Sequence, residues 1–111
     1  MKNWRGAVAN YQTVTTVDQV PPGTLKVFRL RGQRLAVSQV EGVFYAMDDI
    51  CTHDEGPLGE GALRGDEVEC PRHGARFSVR TGAALSMPAV TPVKVYRVRV
   101  DGKNIQVDLG Q

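Results

Sequence analysis

The sequence predicts an all-β fold, a small antiparallel sandwich or barrel. Three observations carry this. No stretch of a dozen residues places apolar side chains at i, i+3, i+4 and i+7, so an amphipathic helix would have no face to bury. Short runs instead alternate apolar and polar residues at the period of a strand. Glycine, proline and aspartate punctuate these runs at close intervals, the pattern of an antiparallel sandwich or barrel. A chain of 111 residues with 41% hydrophobic and 23% charged content suits one globular domain with a modest core.

Taken in order, the elements read as follows. The opening "MKNWRGAVANYQTVTTVDQV" has no apolar stretch behind its charges and is not expected to be a signal peptide. After Thr16, "TTVDQVPPG" allows one short turn that Pro21, Pro22 and Gly23 stop. "TLKVFRL" is a strand with Leu25 and Val27 on one face, and "RGQR" turns it into "LAVSQV". Glu41 and Gly42 turn the chain again into "VFYAM", where Val43, Tyr45 and Met47 share one face and Phe44 and Ala46 the other. "RGDEVEC" is a further turn and strand, bent at Gly65-Asp66. "VKVYRVRVDGKNIQVDL" reads as one long hairpin turning at Asp101-Gly102, residues that tolerate the positive φ a tight turn needs. There is no internal repeat or linker, so residues 1–111 form a single domain.

Both cysteines and both histidines fall in one stretch, in two loops at strand ends. One runs through "DDICTHDEGPLGEG" after Met47, the other through "CPRHGARFSVRTG" after Val68. Cys51 and His53 are one residue apart, Cys70 and His73 two, and sixteen residues lie between the pairs. Each pair can grip a metal locally, and two loops brought tip to tip make a four-ligand site. A disulfide is disfavoured in the cytoplasm, the default location here, so metal binding is the better use for the thiols. Three metal readings compete: a closed tetrahedral zinc site, a mononuclear catalytic site with a carboxylate, and a [2Fe–2S] cluster in which two histidines replace two cysteines on one iron. The last needs one Cys and one His from each loop, which is the order observed.

Charge and hydropathy exclude other classes. The longest apolar runs are far too short to span a bilayer. A net charge of +2, with no basic cluster interleaved with aromatics, gives no footprint for nucleic acid. The charge is uneven, however. From Asp48 to Glu69 eight acids face one base, a net −7, leaving +9 elsewhere. This run is expected to be either a solvated acidic loop or a docking face for a basic partner.

Cys-x-His and Cys-x-x-His at this separation resemble the Rieske motif. "CPRHGARF" is similar to its second half, "RTGAALSMPA" to the segment leading to a proline loop over the cluster, and "VEGVFYAMDDICTH" to the strand and entry loop of Rieske ferredoxins. The likeness covers roughly Pro21 to Leu109. It implies a Rieske-like sandwich or barrel with a two-loop cluster-binding lobe at about residues 46–90, holding one Rieske [2Fe–2S] cluster per chain. Cys51 and Cys70 would bind one iron, His53 and His73 the other. Pro71 would stiffen the second loop, Gly74 would avoid a Cβ crowding the cluster, Phe77 would wall it, and Pro88 would sit in the covering loop. Gly56, Pro57, Gly59 and Gly61 would let the first loop fold back over it.

The chain departs from the Rieske proteins of quinol-oxidising complexes. It has no third cysteine for their extra disulfide, and Ala75 and Phe77 stand where those proteins carry a serine and a tyrosine. Without those hydroxyl donors the reduced cluster is less stabilised, so the potential is expected near the low end of the Rieske range of about −150 to +300 mV.

Soluble low-potential members of the family resemble the ferredoxin components of bacterial ring-hydroxylating dioxygenase systems. The resemblance implies a one-electron carrier rather than an enzyme. Its donor would be a flavin-containing NAD(P)H ferredoxin reductase and its acceptor a terminal oxygenase, each docking transiently near His53 and His73. With both histidines used, no oxygenase iron site remains, and no G-x-G-x-x-G follows a strand to bind a nucleotide. The competing readings are a small Rieske subunit or accessory protein of another system, such as nitrite reduction or iron–sulfur assembly, and a structural zinc module.

Overall fold

Ten β-strands in three antiparallel sheets make up the regular structure of the described residues of the computed structural model: 9–51, 56–59, 61–71, 74–87, 89 and 91–110. The central sheet runs β2 (Leu25–Leu30), β3 (Gln33–Val40), β4 (Val43–Asp48) and β8 (Val95–Tyr96). Its two tight turns, Arg31-Gly32 and Glu41-Gly42, have positive φ at both positions (53° and 82°; 51° and 84°). That is the type I′ geometry whose twist matches a two-residue hairpin.

On one side of this sheet lies a second, ordered β1 (Tyr11–Thr16), β10 (Asn104–Asp108), β9 (Val98–Asp101). On the other side lies a third, β5 (Ala62–Arg64), β6 (Glu67–Glu69) and β7 (Arg76–Ser78). Two cores result. Leu35, Val37 and Ala46 pack with Val20, Ile105 and Val107, and Phe28, Leu30 and Phe44 close that core. Ala36, Val40 and Met47 point the opposite way, into the core of the third sheet, with Leu25 and Tyr45 against it. Strand β3 is therefore buried from Leu35 to Val40 without a break. A strand between two layers needs apolar or hydrogen-bonded groups on both faces. Of its two polar members, Ser38 and Gln39, the latter meets this requirement by donating from Nε2 to the Val20 carbonyl at 2.6 Å.

The predicted strands over 24–30, 35–40 and 43–47 are present, and so are the bend at Gly65-Asp66 and a short 3-10 turn at Val17–Gln19. Three features differ from expectation. Strand β1 carries few apolar residues and gave no alternating signal, yet it pairs with β10 along its length, with an irregularity between Thr13 and Thr15. The long run from Val93 is divided at Arg97: β8 pairs with β4, whereas β9 pairs with β10. One extended segment thus passes from one sheet to the next, as sheet corners require. The last hairpin turns at Gly102-Lys103 rather than Asp101-Gly102, because Asp101 is paired with Asn104 and only Gly102 has positive φ.

Candidate metal centre

The two predicted loops leave the ends of β4 and β6. Asp48 ends β4, and Cys51 follows it after two residues. Glu69 ends β6, and Cys70 is the next residue. Both loops close in the same way. The Cys51 N–H donates to the Gly56 carbonyl at 2.7 Å, and the Cys70 N–H donates to the Ala75 carbonyl at 2.7 Å. In each case the acceptor lies five residues on, so each cysteine sits at the root of a short tip of matched length. A further bond from Gly74 N–H to the Cys70 carbonyl (3.0 Å) tightens the second loop.

Cys51 and Cys70 are 0% and 1% exposed and belong to one apolar cluster with Leu58, Val68, Ala75 and Phe77. Neither is in a disulfide. Two reduced thiols buried at equivalent positions of two matched loops suit a pair of thiolate ligands better than a purely structural pair. His53, His73 and Pro88 lie outside the described residues.

The surrounding positions explain the loop composition. Phe77 is fully buried, pairs with Val68 and bridges to Ala84, so it forms a wall of the cysteine-bearing core. Pro71 is exposed at the second tip. Gly74 has φ +74°, and a Cβ there would meet only the Glu69 carboxylate at 3.8 Å among the described atoms. Among the described atoms, what Gly74 answers to is the left-handed backbone. At Gly61 the demand is space: a Cβ would collide with the Glu69 carbonyl, immediately before Cys70. The returning limb of the first loop thus lies directly on the start of the second.

A buried carboxylate missed as a positioning group anchors the first loop. Asp49, 2% exposed, accepts a hydrogen bond from the Gly59 N–H at 2.5 Å, and Arg34 Nε lies 3.8 Å from its other oxygen. Its own N–H donates to the Arg34 carbonyl at 3.1 Å. The loop is thereby tied to β3. In the sequence Asp49 looked like one member of an acidic run, and only its place two residues before a cysteine hinted at more.

That run is not a bare acidic face among the described residues. Asp48 accepts from the Tyr96 hydroxyl at 2.6 Å, Asp66 pairs with Arg80 at 3.0 Å, Glu67 with Arg76 at 3.7 Å and Glu69 with Arg64 at 4.0 Å. Arg76 and Arg80 lie outside the 48–69 run, so a count confined to it overstates the local negative charge. Asp54, Glu55 and Glu60 lie outside the described residues. Burial of the Tyr96 ring, reinforced by its hydrogen bond to Asp48 and that group's negative charge, pushes the phenol up to about 12 against a weaker opposing bond from Gln33.

Comparison with known proteins agrees with this geometry. The model of the Rieske [2Fe–2S] domain matches residues 10–97. The chain is 38% identical over 108 residues to the naphthalene 1,2-dioxygenase system ferredoxin component of Pseudomonas aeruginosa, covering 97% of each chain. The ferredoxin of carbazole 1,9a-dioxygenase from Nocardioides aromaticivorans IC177 superposes with a TM-score of 0.84 at 39% identity, covering 88% of this chain and 96% of that one. A ferredoxin-sized chain from a complex of reduced oxygenase and oxidized ferredoxin in carbazole 1,9a-dioxygenase gives 0.82 at 38% identity, over 88% and 92% of the two chains. A zinc module is not what these similarities describe: on sequence and fold together, the chain belongs to the Rieske [2Fe–2S] domain family.

Proposed function

We propose that this protein is the ferredoxin of a multicomponent oxygenase system. It acts as a one-electron carrier, not a catalyst, between a flavin-dependent NAD(P)H reductase and a terminal aromatic-ring-hydroxylating oxygenase. The observation that carries the reading is the matched closure of the two loops, which buries Cys51 and Cys70 in one apolar cluster.

When bound, a Rieske cluster supplies reversible one-electron chemistry. Cys51 and Cys70 would hold one iron from inside the core, and His53 and His73 the other from the loop tips. Phe77 and Leu58 exclude water from the sulfur side, which favours the less charged state of any centre held there. Pro71, Gly74 and Pro88 would shape the tips around the histidines. The whole chain would act as one domain, with the cluster lobe at about residues 46–90. No helix among the described residues is long and apolar enough to cross a membrane, and two buried thiols outside any disulfide are in keeping with a cytoplasmic setting.

The test is anaerobic purification followed by metal and sulfide analysis, then reconstitution with reductase, oxygenase and an aromatic substrate. A brown protein with iron and sulfide in equal amounts, which restores product formation, is the expected result. Zinc in place of iron, or an intact chromophore in His53→Ala or His73→Ala, would overturn the ligand assignment. A loaded protein that accepts electrons from no flavin reductase would overturn the carrier role.

A further inference from the structure

The end of the central sheet that carries the first cysteine loop also carries a basic cleft. Strands β2 and β3 turn at Arg31-Gly32, and Leu35 pairs with Asp48, so this turn and the exit of β4 stand at the same end. A cleft of about 400 Å³ opens there, lined by Arg29, Gly32, Gln33, Arg34, Asp48 and Ile50. Ile50, 40% exposed, is the residue before Cys51.

Arg29 and Arg34 are direct cross-strand partners. Like charges placed opposite one another repel. Their shared face points toward the cysteine loops: Val27, two residues along from Arg29, abuts Gly59 of the first loop, and Arg34 reaches Asp49. Arg34 is thus compensated by the buried carboxylate. Arg29 is exposed and has no acidic partner among the described residues. Asp48, the other acid of the cleft, accepts from the neutral Tyr96 hydroxyl and keeps its negative charge. The described acids of the 48–69 run are likewise engaged internally. Counting Arg31 of the turn, the three arginines at this end outnumber the carboxylates of Asp48 and Asp49 among the described residues, so the excess charge is positive, and it flanks an exposed isoleucine. An arginine beside an apolar anchor is the composition of an interface centre.

We propose that this cleft seats an aspartate or glutamate side chain of a redox partner protein, bridging Arg29 and Arg34, with Ile50 packed against that partner's surface. The inference rests on the carrier reading, because a partner docked here lies beside the loop of Cys51, where an electron has to pass. It reverses the sign of docking charge that the sequence run suggested. The partner brings carboxylates to an arginine face, and attraction between exposed charges speeds encounter and weakens with salt.

The test compares the loaded wild-type protein with Arg29→Glu and Arg29→Gln in stopped-flow electron transfer from the reductase and to the oxygenase, over about 0.05 to 0.5 M salt. At low salt Arg29→Glu is expected to slow transfer with at least one partner roughly tenfold, with Arg29→Gln intermediate, and the three proteins to converge at high salt. An unchanged visible spectrum and unchanged reduction by dithionite establish that the variants hold the same centre. Rates within twofold of wild type for both partners at low salt, or a deficit that persists at high salt, would overturn the cleft assignment while leaving the carrier role intact. Failure of the wild-type protein to exchange electrons with either partner would instead remove the carrier role.

Discussion

Replacing Asp49 separates the two jobs of its carboxylate. In Asp49→Ala the Gly59 N–H, bonded at 2.5 Å in a part-buried site, loses its acceptor. An unmet buried donor costs about 1–3 kcal/mol. The Arg34 contact, at 3.8 Å with the arginine 38% exposed, adds only about 0.5–1 kcal/mol, since the freed guanidinium is hydrated. The expected loss is about 1.5–4 kcal/mol. In a domain of 111 residues each kcal/mol moves the midpoint by ~4 °C, so the apparent midpoint should fall by roughly 6–16 °C. Asp49→Asn keeps the side-chain volume and an oxygen for Gly59 and gives up only the charge. Its loss should be about 1 kcal/mol, or roughly 4 °C. The assay is bleaching of the visible chromophore during heating, at one heating rate for all three proteins, with far-ultraviolet circular dichroism recorded in parallel. Equal losses in the two variants would show that the charge, not the hydrogen bond to the loop, does the anchoring. A loss below about 0.5 kcal/mol in Asp49→Ala would show that the loop needs no anchor at all.

Three other predictions follow from local geometry. Tyr96 has its phenol raised from 10.0 to about 12, so its contribution to stability is complete below pH 10 and is lost as pH rises through about 12; denaturation midpoints between pH 9 and 12 should therefore fall more steeply for wild type than for Tyr96→Phe, and parallel profiles would contradict this. Gly61→Ala drives a methyl group into the Glu69 carbonyl and should separate the two loops, costing more than about 2 kcal/mol and lowering iron content; an iron-replete variant of wild-type midpoint would disprove the close approach. Ala75→Ser places a hydroxyl at the fully buried Ala75 position of the second loop and should raise the reduction potential by roughly 40–60 mV, the equivalent of about 1 kcal/mol for one electron, as read by spectroelectrochemistry; an unmoved potential would mean that the missing hydroxyl does not set it.

The candidate site was more legible than the layout around it. Cys51, His53, Cys70 and His73 are the only residues of their kinds in the chain, and their spacing within each loop is a local property that survives in any fold. Turns were legible for the same reason: a glycine after Arg31 or Glu41 suits positive φ whatever lies elsewhere. Strand β1 was not legible, because its stability comes from hydrogen bonds to β10, more than eighty residues along the chain. Charge was misleading along the chain, because Arg34, Arg76 and Arg80 neutralise acids that are neighbours only in space.

By itself, then, the amino-acid order determined the candidate ligands, the strand-and-turn alphabet and the family. Three things were settled only in the folded molecule: the break at Arg97 that hands one segment to two sheets, the burial of Asp49 under the first loop, and the exposure of Arg29 beside it with no acidic partner among the described residues. Each depends on which distant groups come within a few ångströms. Local pattern encodes what a residue is able to do, whereas packing and electrostatics depend on what the rest of the chain puts next to it.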